Sequence, residues 1–311
     1  MADLTTAANA IKTIVDETVV RGIFTNDELR SIFPSKASRG GTTKNWHLLT
    51  SGVAGQATQD GASYAAVDSN AYQRATLSYR LYDATIGISS GLRAALLNNL
   101  ASYFDAIVRE TQEAINGVND AAATQWLGAS VEGLLLAIDS TGTYAGQSHS
   151  GVTGWNSYED TTAAALSHAM LDDMRENLRT TERRGRPNLI LSAENQISNY
   201  TRLSGPGQRQ SFVTQTMPGV QPQSDIGENR DNAGFGGMPW IGLADLDAST
   251  ILMLPRECIE ITNHERTAGD GGWETVDVPP GGHTQQVNVS YYGLISCLDP
   301  FRCGKLSGVT A

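Results

Sequence analysis

The sequence predicts an α+β chain organised around one very long helix. Residues 72–88 are rich in β-branched and aromatic side chains, among them Tyr72, Thr76, Tyr79, Tyr82, Thr85 and Ile86, and read as a long strand. From Gly91 the apolar positions Leu92, Leu96, Leu100, Phe104, Ile107, Ile115, Val118, Ala122 and Trp126 recur almost always at three- or four-residue steps, the period of one buried helix face. Near the end, Val287, Val289 and Tyr291 alternate with Gln286, Asn288 and Ser290, as in a half-exposed strand. A helix over about 91–128 would be a rod of roughly 50 Å, several times the usual length. Such a rod suits a subunit that carries load across its own width.

Composition narrows the class. The chain has 311 residues, of which 40% are hydrophobic and 18% charged, with 32 glycines. That is enough apolar content for a proper core in one large domain or two linked ones. The formal net charge of −11 and the lack of a basic stripe argue against a phosphate-gripping protein. The densest basic cluster, Arg183-Arg184-Gly185-Arg186, is expected to be a helix C-terminus. Cys258, Cys297 and Cys303 lack CxxC spacing and are expected to be small buried hydrophobes in a reducing environment, with neither disulfides nor metal. No signal-peptide pattern opens the chain, and its longest apolar run, Leu134 to Ile138, is far too short to span a bilayer. A soluble protein made in the cytoplasm, with no membrane contact, is expected.

Residues 1–41 read as an arm. Ile11, Ile14, Val15 and Val19 suggest one helix, and Asn26 to Phe33 a second that Pro34 stops. Ser35 to Gly41 reads as a linker. The arm has five acidic and five basic residues and too few apolar ones to fold alone, so it must lie on its own body or on a neighbour. Thr42 to Thr50 reads as a strand, and with residues 72–88 it forms a hairpin whose tip, residues 51–71, carries no periodicity. Strands of about ten residues would project roughly 30 Å, and so long a hairpin needs a surface to lie on.

After the long helix, Leu134 to Ile138 reads as a short buried strand and 139–154 as a Gly/Ser/Thr-rich loop. A helix is expected over Thr161–Arg184, with Leu166, Met170, Met174 and Leu178 on one face and Gly185 as its stop. Residues 187–192 read as a buried strand and 193–203 as a short helix. Residues 204–237 form a long loop with seven glycines and three prolines. Strands follow at Thr250–Leu254, Ile259–Thr262 and Gln286–Leu298.

Catalytic, cofactor and metal sites are all expected to be absent. Gly146-Gln147-Ser148-His149-Ser150 lacks the second glycine of a nucleophile elbow, and His149 is expected to be exposed in its loop. His264-Glu265 has no second histidine at zinc-protease spacing. Gly304-Lys305-Leu306 lacks the rest of a phosphate loop, and Gly234-Phe235-Gly236-Gly237 precedes a strand, the wrong order for a dinucleotide fingerprint. Asp245 and Asp247 suggest an exposed turn rather than a metal site. The sequons at Asn199 and Asn288 are read as chance matches.

In the order and spacing of these elements, the chain resembles the major capsid proteins of tailed double-stranded DNA viruses, of the Hong Kong 97 type. The matching pieces are the arm (1–41), the extended β-hairpin loop (42–88), a peripheral domain with the long spine helix (89–145), a central α/β axial domain (146–243) and β segments returning to the peripheral domain (244–311). Gly237-Met-Pro-Trp-Ile241 running into Ala244 to Leu254 resembles that return, and Tyr144-Ala-Gly146 followed by Trp155 resembles the entrance to the axial domain.

The resemblance implies a non-enzymatic virion protein, synthesised in the host cytoplasm, that forms pentamers and hexamers of an icosahedral shell around double-stranded DNA without sequence-specific binding. Trp46, Tyr64, Tyr72, Tyr79 and Tyr82 are the expected assembly contacts, although alternation leaves open which of them face the subunit's own spine helix. Members that stitch subunits covalently use a lysine on the extended loop. Here no lysine occurs between Lys44 and Lys305, so noncovalent contacts or a separate cement (decoration) protein are expected. Nothing before residue 42 is long enough for a built-in scaffold, which implies a separate scaffolding protein beside a portal. The alternatives are an encapsulin-like cellular compartment and, in a different class, an α/β enzyme or ligand-binding protein without a local motif.

Overall fold

A computed structural model of the chain describes residues 28–38, 40–49, 72–89, 100–129, 132–152, 154–180, 183, 185–203, 234–264, 272–278 and 284–310. The expected arm helix around Ile11 to Val19, the hairpin tip with Tyr64, the helix positions Leu92 and Leu96 and most of the 204–237 loop lie outside the described residues.

The chain opens with α1 (Glu28–Ile32), β1 (Ser35–Ser38), β2 (Thr43–Leu49), β3 (Tyr72–Ser78), β4 (Arg80–Ser89) and α2 (Leu100–Leu127). It continues through α3 (Leu134–Ala137), β5 (Thr143–Tyr144), β6 (Gln147–Ser148), β7 (Tyr158–Asp160), α4 (His168–Leu178), β8 (Leu189–Ser192) and α5 (Glu194–Leu203). The remainder is β9 (Gly234–Phe235), β10 (Met238–Gly242), β11 (Ile251–Leu254), β12 (Ile259–His264), β13 (Trp273–Val278), β14 (Thr284–Cys297) and β15 (Gly304–Leu306).

The long β14 is the axis of a five-stranded sheet. β4 runs antiparallel along one side of it, from Thr284↔Ser89 to Gly293↔Arg80. Along the other side lie β13 and then β12, and β1 adds to the edge of β12 in parallel. The long helix α2 lies on one face of this sheet. Its 28 residues make a rod of about 42 Å at 1.5 Å rise per residue. Ile107, Thr111, Ile115, Val118, Ala122 and Trp126 form its buried stripe. Thr111 fills the gap in the apolar pattern, and its hydroxyl donates to the Ile107 carbonyl at 2.7 Å, so the polar group is satisfied inside the helix.

A second sheet has the order β7-β15-β11-β8-β10-β9. β8 and β11 are buried on both faces, which explains their unbroken apolar sequences. Leu189, Leu191, Leu252 and Leu254 join the main core, whereas Ile190, Ile251 and Met253 pack with Leu171, Met174 and Leu178 of α4 and Ile197 of α5. Leu29, Ile32 and Phe33 are buried in the main core, so the described end of the arm lies on its own body.

Several expectations need correction. The strand over residues 72–88 divides at Tyr79. β3 pairs with β2 and β4 with β14, because the Tyr79 amide turns to the Thr42 carbonyl while its ring packs on His264 and Tyr292. Leu134 to Ile138 is a helical turn, closed by Ala137 N–H to Gly133 and Ile138 N–H to Leu134, since a short all-apolar run fits either state. The helix expected over Thr161–Arg184 covers His168–Leu178 alone, with the Ser167 hydroxyl as N-cap to Met170. Ahead of it, Ala164 and Leu166 pair with Thr310 near the chain's end, and those backbone bonds outcompete helix propensity. Gly185 still closes the exit, donating to the Leu178 carbonyl at 2.8 Å.

Arg183 is not a helix cap. It lies 4.6 Å over the Phe301 ring and donates to the carbonyls of Asn156 and Phe301. The linker expected over Ser35–Gly41 contains β1, and the loop expected over 139–154 contains the β5–β6 hairpin, whose turn residues Ala145 and Gly146 take φ of 52° and 76°.

Candidate assembly surfaces

The hairpin base is a two-stranded sheet separate from both larger sheets. β2 and β3 pair over seven residues, from Thr43↔Ser78 to Leu49↔Tyr72. Alternation turns Lys44, Trp46 and Leu48 toward the body, along with Ala75 and Leu77 of β3, and leaves Asn45 and His47 exposed. The outer edge of β3 is also engaged: Thr76 N–H donates to Ala145 and the Gln147 amide to Arg74. The base is therefore seated on its own subunit.

Lys44 is the centre of that seat. Its Nζ donates to Glu260 Oε1 (2.7 Å), Thr262 Oγ1 (2.8 Å) and Ser296 Oγ (2.7 Å), using all three donors of an ammonium. These acceptors lie on the face of the five-stranded sheet opposite α2. Lys36 of β1 reaches the other carboxylate oxygen, Glu260 Oε2, at 2.5 Å. Burial holds the Lys44 amine below its ordinary range despite the carboxylate. Burial alone would raise Glu260, but hydrogen bonds from Lys36 and Lys44 outweigh it and hold the acid below the usual carboxylate range.

The five aromatic residues singled out as contacts separate clearly. Tyr82 is in the subunit's own core, stacked 6.1 Å from Tyr291 and edge-on to Trp126, and burial pushes its hydroxyl up to about 12. Tyr79 is buried too, against His264 and Tyr292. Trp46 is half-buried, its Nε1 donating to the Leu298 carbonyl and its ring 6.4 Å from Trp155. Tyr72 is placed only by its backbone, opposite Leu49, and Tyr64 lies outside the described residues. Lys36, Lys44 and Glu260 were not singled out. The usable signal was a lysine at an inward position, alternating with Trp46 and Leu48, in a chain with four lysines.

The near-motifs occupy structural positions. His149 is buried rather than exposed: its ring clusters with those of Tyr144 and Trp155, 6.4 and 6.3 Å away, with Nδ1 and Nε2 each 3.1 Å from a backbone carbonyl, Trp155 and Leu136. A loop histidine flanked by Gly and Ser gave no hint of those two rings. Asp247 accepts from the Ser249 amide and hydroxyl, forming the exposed turn expected there. The three cysteines are free, buried and close together, with Cys297 Sγ 3.9 Å from Cys303 Sγ. Contact with Cys303 and then burial push the Cys258 thiol up. Lys305 is buried between Asp139 and Glu159, at 2.8 Å from each. Among the described residues no cluster of His, Cys, Asp or Glu is arranged to hold a metal ion, and no helix is long and apolar enough to cross a membrane.

No family model matches the sequence, and no curated protein does. Solved structures match nearly the whole chain. The cyanophage A-1(L) capsid subunit superposes with a TM-score of 0.67 at 17% identity, covering 90% of this chain and 92% of that one. The SrpI encapsulin of Synechococcus elongatus PCC 7942 gives 0.60 at 11% identity over 92% and 88%. A native GTA particle capsid gives 0.58 at 13% identity over 91% and 90%. The chain has the fold of phage capsid proteins, which the encapsulin shell also has.

Proposed function

We propose that the chain is the major capsid protein of a tailed double-stranded DNA virus, a structural subunit without catalytic activity. The observation that carries this reading is the correspondence with shell subunits over about nine-tenths of both chains, which leaves little of either for another task. Fold alone does not fix function. Here, however, the chain has features that a shell needs: a rod-like helix backing a broad sheet, and a two-stranded hairpin seated on the body beside it.

In this reading the subunits form pentamers and hexamers, and these tile an icosahedral shell. The six-stranded sheet with α4 and α5 belongs to the axial domain around each capsomer axis, and α2 with the five-stranded sheet forms the peripheral domain. The hairpin reaches a neighbour, with the exposed Asn45 and His47, part of Trp46, and Tyr64 and Tyr72 as contacts. Tyr79 and Tyr82 support the hairpin's root from inside. Lys44 and Lys305 are buried in ion clusters, so neither is free for a covalent stitch, and cohesion rests on noncovalent contacts or a cement protein. A separate scaffolding protein and a portal complete the set of partners, and the net charge of −11 suits a container whose DNA must slide during loading.

The encapsulin match favours a second reading, a cellular compartment with protein cargo. Particles made by co-expressing the chain with its neighbouring genes separate the two. Nuclease-protected double-stranded DNA inside closed shells is the expected result. Shells filled with one co-purifying protein and no DNA would favour the compartment.

A further inference from the structure

Two segments far apart in sequence from β12, one paired to its edge and one laid on its face, end on one of its carboxylates. β1 belongs to the arm and β2 to the hairpin, and each brings a lysine to Glu260, one per oxygen. Glu260 sits on β12 and is 6% exposed, so its charge is expensive to leave unpaired. Its two partners differ. The Lys44 side chain is 13% exposed and has the Thr262 and Ser296 hydroxyls besides, whereas that of Lys36 is 66% exposed. With two ammoniums on one carboxylate, removing either still leaves Glu260 compensated. Removing both leaves a buried anion with neither lysine on it and the Thr262 hydroxyl 3.4 Å away.

We propose that Glu260 is an either-or latch: it holds the arm through Lys36 and the hairpin base through Lys44, and lets one of them go while the other keeps it paired. Its use rests on the shell reading, in which the arm and hairpin are the segments that reach neighbouring copies. There the latch would impose an order, since a subunit could surrender its arm or its hairpin base to a rearrangement but not both together.

A double-mutant cycle on the unassembled full chain tests this. Unfolding constants are measured by urea denaturation for Lys36→Met, Lys44→Met, the double variant, and the double variant carrying Glu260→Gln. The expected result is non-additivity. The double variant should be destabilised at least about ten-fold beyond the product of the two single effects, and Glu260→Gln should recover most of that excess. Hydrogen exchange adds a local readout: Lys36→Met should speed exchange in β1 while leaving β2 unchanged, and Lys44→Met the reverse. Additive single effects, or no recovery with Glu260→Gln, would overturn the latch. If the double variant does not fold, the Glu260→Gln triple variant still decides, because the latch requires it to fold and to be more stable than the double. Because the cycle is run below assembly, a latch that holds in a chain that never assembles would sink the shell reading alone.

Discussion

Tyr291 and Lys44 sit against opposite faces of the same five-stranded sheet, in surroundings of different kinds. On the α2 face, Tyr291 is enclosed by Trp126, Trp273 and Tyr82, with ring centroids 5.3–6.1 Å away, and Arg30 of α1 lies 4.1 Å over its ring. Dispersion and burial hold that face together, and both are insensitive to pH until a tyrosine is forced to ionise. On the other face the hairpin base adds a polar seat, an amine, a carboxylate and two hydroxyls, to the buried side chains of Leu48, Ala75 and Leu77. Polar seats of this sort give register and direction but little net stability, because desolvation consumes most of the attraction. The hairpin base therefore depends on a charged seat that the aromatic face lacks, in addition to its share of the core.

The comparison breaks most visibly if the two faces respond alike to truncation. Tyr291→Ala should cost ~3–5 kcal/mol of unfolding free energy in urea denaturation, as expected for a large buried aromatic. Trp46→Ala, at the half-buried hairpin base, should cost ~1–2 kcal/mol. Equal losses would mean that the hairpin base is as much core as the body.

Alkali should attack the aromatic face first. The Tyr82 hydroxyl titrates near 10 when unfolded and about 12 when folded, so the neutral form is the one the fold prefers. Its contribution is complete below pH 10 and is lost as pH rises toward 12, ~3 kcal/mol in all. Melting curves across that range should show the loss, and Tyr82→Phe should reduce it by about that amount, leaving the part that Tyr79, Tyr144 and Tyr158 contribute through their own raised hydroxyls.

Acid should act on the polar face instead, with a smaller effect. Glu260 is held below its usual range in the folded chain, so its contribution is present above pH 4.5 and lost as pH falls through the lowered folded value. Exchange in β2, corrected for intrinsic rates, should therefore accelerate below pH 4.5 before exchange in α2 does. Simultaneous loosening would contradict a hairpin base that depends on its charged seat. The smallest expected effect is that of His47→Ala on the outward hairpin face. It should leave monomer stability within ~0.5 kcal/mol and still lower the yield of assembled particles.

What the sequence made legible follows from the length of each signal. The described part of the long helix, β8, β14 and α5 repeat one period over many residues or stay apolar between clear breaks, and local pattern sufficed for them. Leu134 to Ile138 had neither length nor period to choose between strand and helical turn. Thr161 to Leu166 reads as helix by composition, but is drawn straight by Thr310, nearly 150 residues away, a partner that no local window contains. The candidate site was less legible still. Aromatic richness pointed to Tyr79 and Tyr82, whose rings turn inward, while the residues that seat the hairpin base are a lysine in a strand and an acid more than 200 residues later.

The central claim is tested most directly by sedimentation velocity of the purified chain over a range of concentrations, with electron microscopy of each resolved species. Rings of five or six copies, or closed shells, are the expected result. A 33.2 kDa monomer at every concentration, alone and with its neighbouring genes, would contradict the account.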